Sequence, residues 1–343
     1  MRAGLALAFA ALAALAGCSA FQPSTDARVR FDAVPELSTD DRYPNWPVHP
    51  ELASDALDDD YLTATAVTGA GAGTTGAQKI SFTRPELDED FQAKGKRVPD
   101  HLDGINNSPR KELAAWALQR LFLEPEDYMV PATSIRCVSL ERWAKFLEPR
   151  GPTVPGTNCV LIALSLWLQD VTLPDPLYDE ERFLSDPVYA YHLANFNIFT
   201  YLINLRDNRT GNVLVSKDDE RRHVFAIDNG VSFGTAWFNW FWPPTFEWRK
   251  IRVPALPRTT VDRLRDLERN DIDTLMVAAQ LERGEDGHLR NVDDPDPPFD
   301  PDDGARVKGT TVQFGLDEDE AEDVWERIED LLEEVDDGDI PLF

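Results

Sequence analysis

The stretch Asn204-Leu205-Arg206-Asp207-Asn208-Arg209-Thr210-Gly211-Asn212-Val213-Leu214-Val215 decides how this chain is read. A polar loop runs into a short apolar strand. A charged turn, Lys217 to Arg222, follows, and His223-Val224-Phe225-Ala226-Ile227 returns as a second strand that delivers Asp228-Asn229-Gly230. Two apolar runs about a charged turn predict an antiparallel hairpin, which sets Asn212 and Asp228 side by side although sixteen residues separate them. Taken singly, Asp and Asn in a turn bond their own backbone, and Asp-Asn-Gly-Val also fits a hairpin turn entering a strand. Their ordered succession gives them chemical meaning. Upstream, a helix is predicted over 188–203, packing inward through Tyr189, Leu193, Phe196, Phe199 and Ile203, so the polar loop emerges from a buried element.

A carboxylate that orients the proton of an attacking hydroxyl, followed by an amide and a second carboxylate that hold metal, is the set phosphoryl transfer requires. Arg206, Asp207 and Asn212 resemble the Arg-Asp-x-x-x-x-Asn catalytic loop of the protein-kinase-like superfamily, and Asp228-Asn229-Gly230 resembles its metal-binding Asp-x-Gly. Ile227-Asp228-Asn229-Gly230 lacks the Phe that typical protein kinases carry after the Asp. It looks more similar to type II phosphatidylinositol 4-kinases within the phosphatidylinositol 3- and 4-kinase-like group, to secretory-pathway casein and sugar kinases, and to bacterial relatives of both. Leu205 stands where typical protein kinases have His, a departure from the family loop.

The N-terminal half extends the resemblance, which covers roughly Thr63 to Leu256. Thr63 to Val67 and Lys79 to Phe82 read as strands about a bend containing Gly69, Gly71, Gly73 and Gly76, and Phe91 to Lys96 as a third strand. Ser108 and Pro109 open a helix as N-cap and first residue, with Leu113, Ala114, Ala117, Leu118, Leu121 and Phe122 at helical spacing. The resemblance assigns Lys94, after Ala93, to the nucleotide phosphates, Glu112 to holding that lysine, and the backbone at Gly71 and Gly73 to cradling phosphate. Lys96 shares the strand face of Lys94 at period two, and Lys79 is a further competitor.

The implied fold is α+β and two-lobed, with a small strand-rich N-lobe over 60–130 and a larger, mainly helical C-lobe from 131, the catalytic domain spanning 61–281. In the implied chemistry Asp207 positions an acceptor hydroxyl, Asn212 and Asp228 hold Mg²⁺ or Mn²⁺, and ATP or another nucleoside triphosphate is the donor. The acceptor is a protein, glycan or lipid hydroxyl. A nucleotide-binding, pseudokinase-like scaffold is the alternative, and a structural lipoprotein a third.

Arg2, the apolar run from residue 3 to 16, and Leu15-Ala16-Gly17-Cys18 resemble a bacterial lipoprotein signal. The expectation is removal of 1–17, acylation of Cys18, a tether over 18–60, and a periplasm-facing place in the cell envelope, at the outer rather than the inner membrane. In that oxidising compartment Cys137 and Cys159 are expected to pair. There is no CxxC or HExxH, and the five histidines are scattered, so no zinc site is expected.

A formal charge of −28 excludes a bare nucleic-acid partner, which needs a basic stripe. Residues 282 to 343 hold 23 Asp/Glu against 5 Lys/Arg, a net of −18, so the acidity is concentrated there. Within it, 282–303 reads as an acidic Pro/Asp linker and 304–343 as an acidic amphipathic helix, docked by Ala321, Val324, Ile328, Leu331, Leu332 and Val335. Trp237, Phe238, Trp240, Phe241, Trp242, Phe246 and Trp248 form a dense aromatic run, expected to pack beneath the site, with a sugar- or membrane-facing platform as the alternative. The most apolar stretch, Val160 to Leu168, is expected to be a buried core element.

Overall fold

Short runs of β-branched and aromatic residues build the first sheet, with one face of each strand set by period two. In the computed structural model, which describes residues 43–58, 62–70, 76–84, 89–104, 108–207, 210–218, 223–234 and 248–343, a helix α1 (Pro50–Asp58) leads into β1 (Thr63–Gly69), β2 (Gln78–Arg84) and β3 (Glu89–Arg97). Helix α2 (Pro109–Phe122) crosses over to β4 (Thr133–Ser139), the short α3 (Leu140–Ala144) and β5 (Cys159–Leu166). The sheet is antiparallel throughout, in the order β1-β2-β3-β5-β4. Strand β5 is buried on both faces, which is why Val160 to Leu166 is apolar without alternation. Cys137 and Cys159, on adjacent strands with Cα atoms 5.4 Å apart, form the expected pair. Cys18, Gly71, Gly73 and the aromatic run from Trp237 to Phe246 lie outside the described residues.

Past the sheet come β6 (Val171–Thr172), α4 (Glu180–Ser185), α5 (Pro187–Leu202), β7 (Val213–Ser216) and β8 (Val224–Ala226). Asp186 caps α5 by accepting from the Val188 and Tyr189 N–H groups at 3.1 and 3.0 Å, and Pro187 occupies its first turn. The helix is buried nearly all round, and β6-β7-β8 form a small antiparallel sheet beside it. Trp248 is buried against Phe196 and Tyr178, in line with core packing at that end of the aromatic run.

Two short helices, α6 (Arg258–Arg265) and α7 (Arg269–Asp273), precede a second large sheet of β9 (Ala279–Arg283), β10 (Leu289–Asn291), β11 (Ala305–Lys308) and β12 (Thr311–Phe314), ordered β10-β9-β12-β11. The expected linker over 282–303 is therefore corrected. Its first part is a hairpin turning at Gly287 (φ +79°), and its Pro/Asp part is tied down by Gln313, whose side-chain amide donates to the carbonyls of Asp296 and Pro297 at 3.1 and 3.2 Å. The boundary at residue 281 falls inside β9, and 304–343 contains two strands before its helix. Single apolar residues explain this: Leu281, Leu289, Val312 and Phe314 form one core with Leu113, Ile135, Leu161 and Ala163, so this sheet covers one face of the first. Helix α8 (Glu318–Asp336) begins with a capping box from Asp317 and Glu320, and it buries Ala321, Val324, Ile328, Leu331 and Val335, with Leu332 partly buried.

The molecule is thus α+β, with antiparallel pairing in all three sheets. Among the described residues no helix is long and apolar enough to cross a membrane.

Candidate active site

The face of β3 that carries Lys94 and Lys96 turns toward α2, and from the opposite side the β7–β8 hairpin brings Asp228. Register fixes this arrangement: Lys94 stands opposite Ser165 and Lys96 opposite Ala163, while on the hairpin Val213 pairs with Ala226 and the Ile227 N–H donates to the Asn212 carbonyl at 2.9 Å. The hairpin forms as expected, and its register puts Asn212 opposite Ile227, with Asp228 one position further on.

Lys96 is the centre of the cluster. It is buried, and its ammonium group donates to Glu112 Oε1 at 2.8 Å and to Asp228 Oδ1. Glu112 uses its second oxygen to accept the Asn229 backbone N–H at 3.0 Å, so one carboxylate from α2 holds both the lysine and the Asp-Asn-Gly turn. Lys94, with a side chain 23% exposed, pairs among the described residues only with the other oxygen of Asp228, at 3.1 Å. The assignment of Glu112 to Lys94 is thereby corrected. Period two puts both lysines on one face, and depth along the strand, which sequence does not encode, decides which meets the helix. Lys79 stands directly opposite Lys94 on β2, but its ammonium lies 4.3 Å from the centroid of the Trp167 ring and not on Glu112 or Asp228.

The electrostatics follow from this packing. Burial favours the neutral amine of Lys96, but Glu112 and Asp228 more than offset it and hold the group cationic. Burial likewise opposes ionisation of Asp228, and the two lysines overcome it, keeping the carboxyl below its ordinary range. Asp228 also adopts a left-handed backbone (φ +64°), a conformation Asp tolerates better than most residues and one found often at functional sites. Gly230 follows because the turn lies against the start of α2: a Cβ there would stand 3.3 Å from the Ser108 backbone nitrogen and 3.4 Å from Glu112 Oε1. Ser108 occupies the N-cap position as expected, yet its side chain makes no capping bond.

A cleft of about 790 Å³ opens onto this cluster, lined by Lys94, Glu112, Asp228 and Asn229 and walled by Leu166, Trp167, Leu168 and Leu214. Its chemistry is mixed: these apolar side chains share the lining with Gln92, Thr133, Ser165 and Gln169, and Asp170 and Lys217 add further charges. Asp207 and Asn212 stand outside that lining and are joined to one another, the Asn212 amide donating to the Asp207 carbonyl at 3.1 Å. The sequence reading missed the Asn229 N–H and the β5 exit at Leu166 to Leu168. The first has no side-chain signal, and the second reads only as core.

No known protein family and no curated protein matches this chain.

Proposed function

We propose that the chain is a kinase-like phosphotransferase of the cell envelope, tethered through Cys18, that moves a nucleotide phosphate to a hydroxyl on a protein, glycan or lipid. The observation that carries this reading is the chain of charge from the buried Glu112 and Lys96 to the partly exposed Asp228, in a cleft between a five-stranded sheet and a hairpin. Phosphotransferases of the resembled superfamily need a strand lysine held by a helix glutamate, and a hairpin aspartate for metal.

The residues present fit a metal–nucleotide pair by charge. Lys94, Lys96, Glu112 and Asp228 sum to zero, so a divalent cation at Asp228 and Asn212 leaves a positive site that complements a polyphosphate. When bound, that cation supplies charge neutralisation at the phosphates. Lys96 and Lys94 bind the phosphates, Glu112 keeps Lys96 in place, the apolar walls take the base, and Asp207 orients the acceptor hydroxyl.

The test compares Asp207→Asn with Asp228→Asn in folded protein, with Mg²⁺ and with Mn²⁺. Asp207→Asn should leave metal-dependent nucleotide binding nearly intact and remove most transfer. Asp228→Asn should weaken both. Equal nucleotide affinity in wild type and Asp228→Asn, with no transfer to any acceptor, refutes the metal assignment.

A further inference from the structure

Two of the five histidines, scattered in sequence, meet inside the protein. His192, midway along α5, and His223, immediately before β8, have ring centroids 3.9 Å apart, and Asp127 joins them from the turn after α2. One ring nitrogen from each imidazole and one Asp127 oxygen lie within 4.8 Å of one another, and all three residues are buried, with exposures of 6, 4 and 8%. The expectation that the histidines are too dispersed for a metal site concerned the linear sequence only.

We propose that Asp127, His192 and His223 form a binding site for a divalent transition metal of the zinc class, separate from the cleft. Two imidazoles and a carboxylate are a donor set that zinc and its neighbours favour, with bonds of about 2.0–2.2 Å. A second observation points to a ligand: His223 Nε2 is buried and has no hydrogen-bond partner among the described residues, and an unsatisfied buried polar atom is costly unless something meets it. The Tyr191 hydroxyl donates to Asp127 Oδ2 at 2.7 Å, the kind of outer bond that orients a ligating carboxylate. Glu124 and Glu126 lie near enough to influence Asp127 and would balance the remaining positive charge. Arg263, also nearby, is itself paired with Glu124 at 2.5 Å.

Burial assigns the ion a bracing role. It would fasten the returning strand of the hairpin, and with it Asp228 five residues on, to α5 and to the turn that follows α2. Three protein donors leave a fourth position for water.

The experiment uses the full chain in detergent, stripped with chelator and titrated with Co²⁺ or Zn²⁺, or loaded with one equivalent of Cu²⁺ for pulsed EPR. Expected are one tightly bound Co²⁺ per chain with visible d–d bands, and two imidazoles coupled to Cu²⁺. His223→Gln and His192→Gln should each weaken Co²⁺ binding at least tenfold and abolish the rise in Tm caused by Zn²⁺, while Asp228→Asn keeps both. No stoichiometric binding to wild type, fewer than two coupled imidazoles, or loss of binding in Asp228→Asn instead would each overturn the proposal. Because the Cu²⁺ measurement is made on wild type, poor folding of a variant does not remove the test.

Discussion

Asp58 ends α1 with its carboxylate turned inward, accepting from the Ser134 hydroxyl and, at 2.8 Å, from the Asn291 amide. Burial raises its pKa to about 6, with those bonds and Arg136 opposing and Asp55 adding to the rise. A carboxyl whose folded pKa lies above its unfolded value of 3.8 stabilises the fold fully below about pH 4, and that contribution is lost as pH climbs through 6. The two-unit difference corresponds to about 3 kcal/mol. Asp58→Asn should flatten the dependence of the urea midpoint between pH 4 and 6 and stabilise the protein at pH 7. An unchanged slope in the variant would remove Asp58 as its source.

The two strand lysines allow a second test at the same scale. Lys96 makes two charge-assisted bonds in a buried setting and Lys94 one in a partly exposed setting, and bonds to charged groups contribute about 1.5–3 kcal/mol each. Lys96→Met should therefore reduce nucleotide affinity by about tenfold or more and also lower stability, since it leaves Glu112 and Asp228 facing one another. Lys94→Met should cost severalfold in affinity with little change in the unfolding midpoint. The reverse ranking in a calorimetric titration would return the phosphate contact to Lys94.

Among elements, α2 and α8 are joined at their first turns. Glu320 accepts from Arg110, including a 3.2 Å bond from its second terminal nitrogen, and pairs with Lys111 at 2.7 Å, all three largely buried, and Arg110 also reaches Asp103 at 2.6 Å. Removing one partner of a buried ion pair leaves an uncompensated charge, at a cost of about 3–5 kcal/mol. Glu320→Gln should lose most of that in denaturant unfolding, and a loss below about 0.5 kcal/mol would show the cluster to be solvated in practice. The strand-to-strand disulfide makes a parallel case. Its separation of 22 residues gives about 3 kcal/mol in the chain-entropy picture, so Cys137→Ala/Cys159→Ala should unfold at correspondingly lower denaturant, and the denatured, unreduced protein should show neither thiol reactive.

Legibility in the sequence differed by element for physical reasons. The start of α5 carries Asp186 and Pro187, signals that act within a few residues, and α8 shows its apolar stripe on an acidic background, so both could be read from local pattern. The second large sheet could not be read that way. Its inward positions, Leu281, Leu289, Val312 and Phe314, are single residues in a mostly polar stretch, and they share one core with residues such as Leu113, Ile135, Leu161 and Ala163, more than a hundred positions earlier. The same holds in the site: the order of Asp207, Asn212 and Asp228 is visible in the chain, whereas the partner of Glu112 and the meeting of His192 with His223 exist only once strands and helices have packed.

At the scale of the whole molecule, the first sheet is incomplete without the second. A chain ending at residue 281 would lose β10, β11, β12 and α8, exposing Ile135, Leu161 and Ala163 on one side and the α8 groove on the other. Large exposed apolar patches drive association. Such a truncated chain should bind hydrophobic dyes and sediment as aggregates, and a monodisperse, cooperatively unfolding fragment would contradict the packing described.

The covering of one sheet by the other also sets a clock on synthesis. The strand face ending near residue 163 leaves the ribosome well before β9 begins at residue 279. At ordinary elongation rates that interval lasts on the order of ten seconds, far longer than local hydrophobic collapse requires. On whichever side of a membrane the chain emerges, the earlier sheet arrives half-covered, so the protein's yield in a cell will depend on holdase capacity there as well as on the stability of the finished fold.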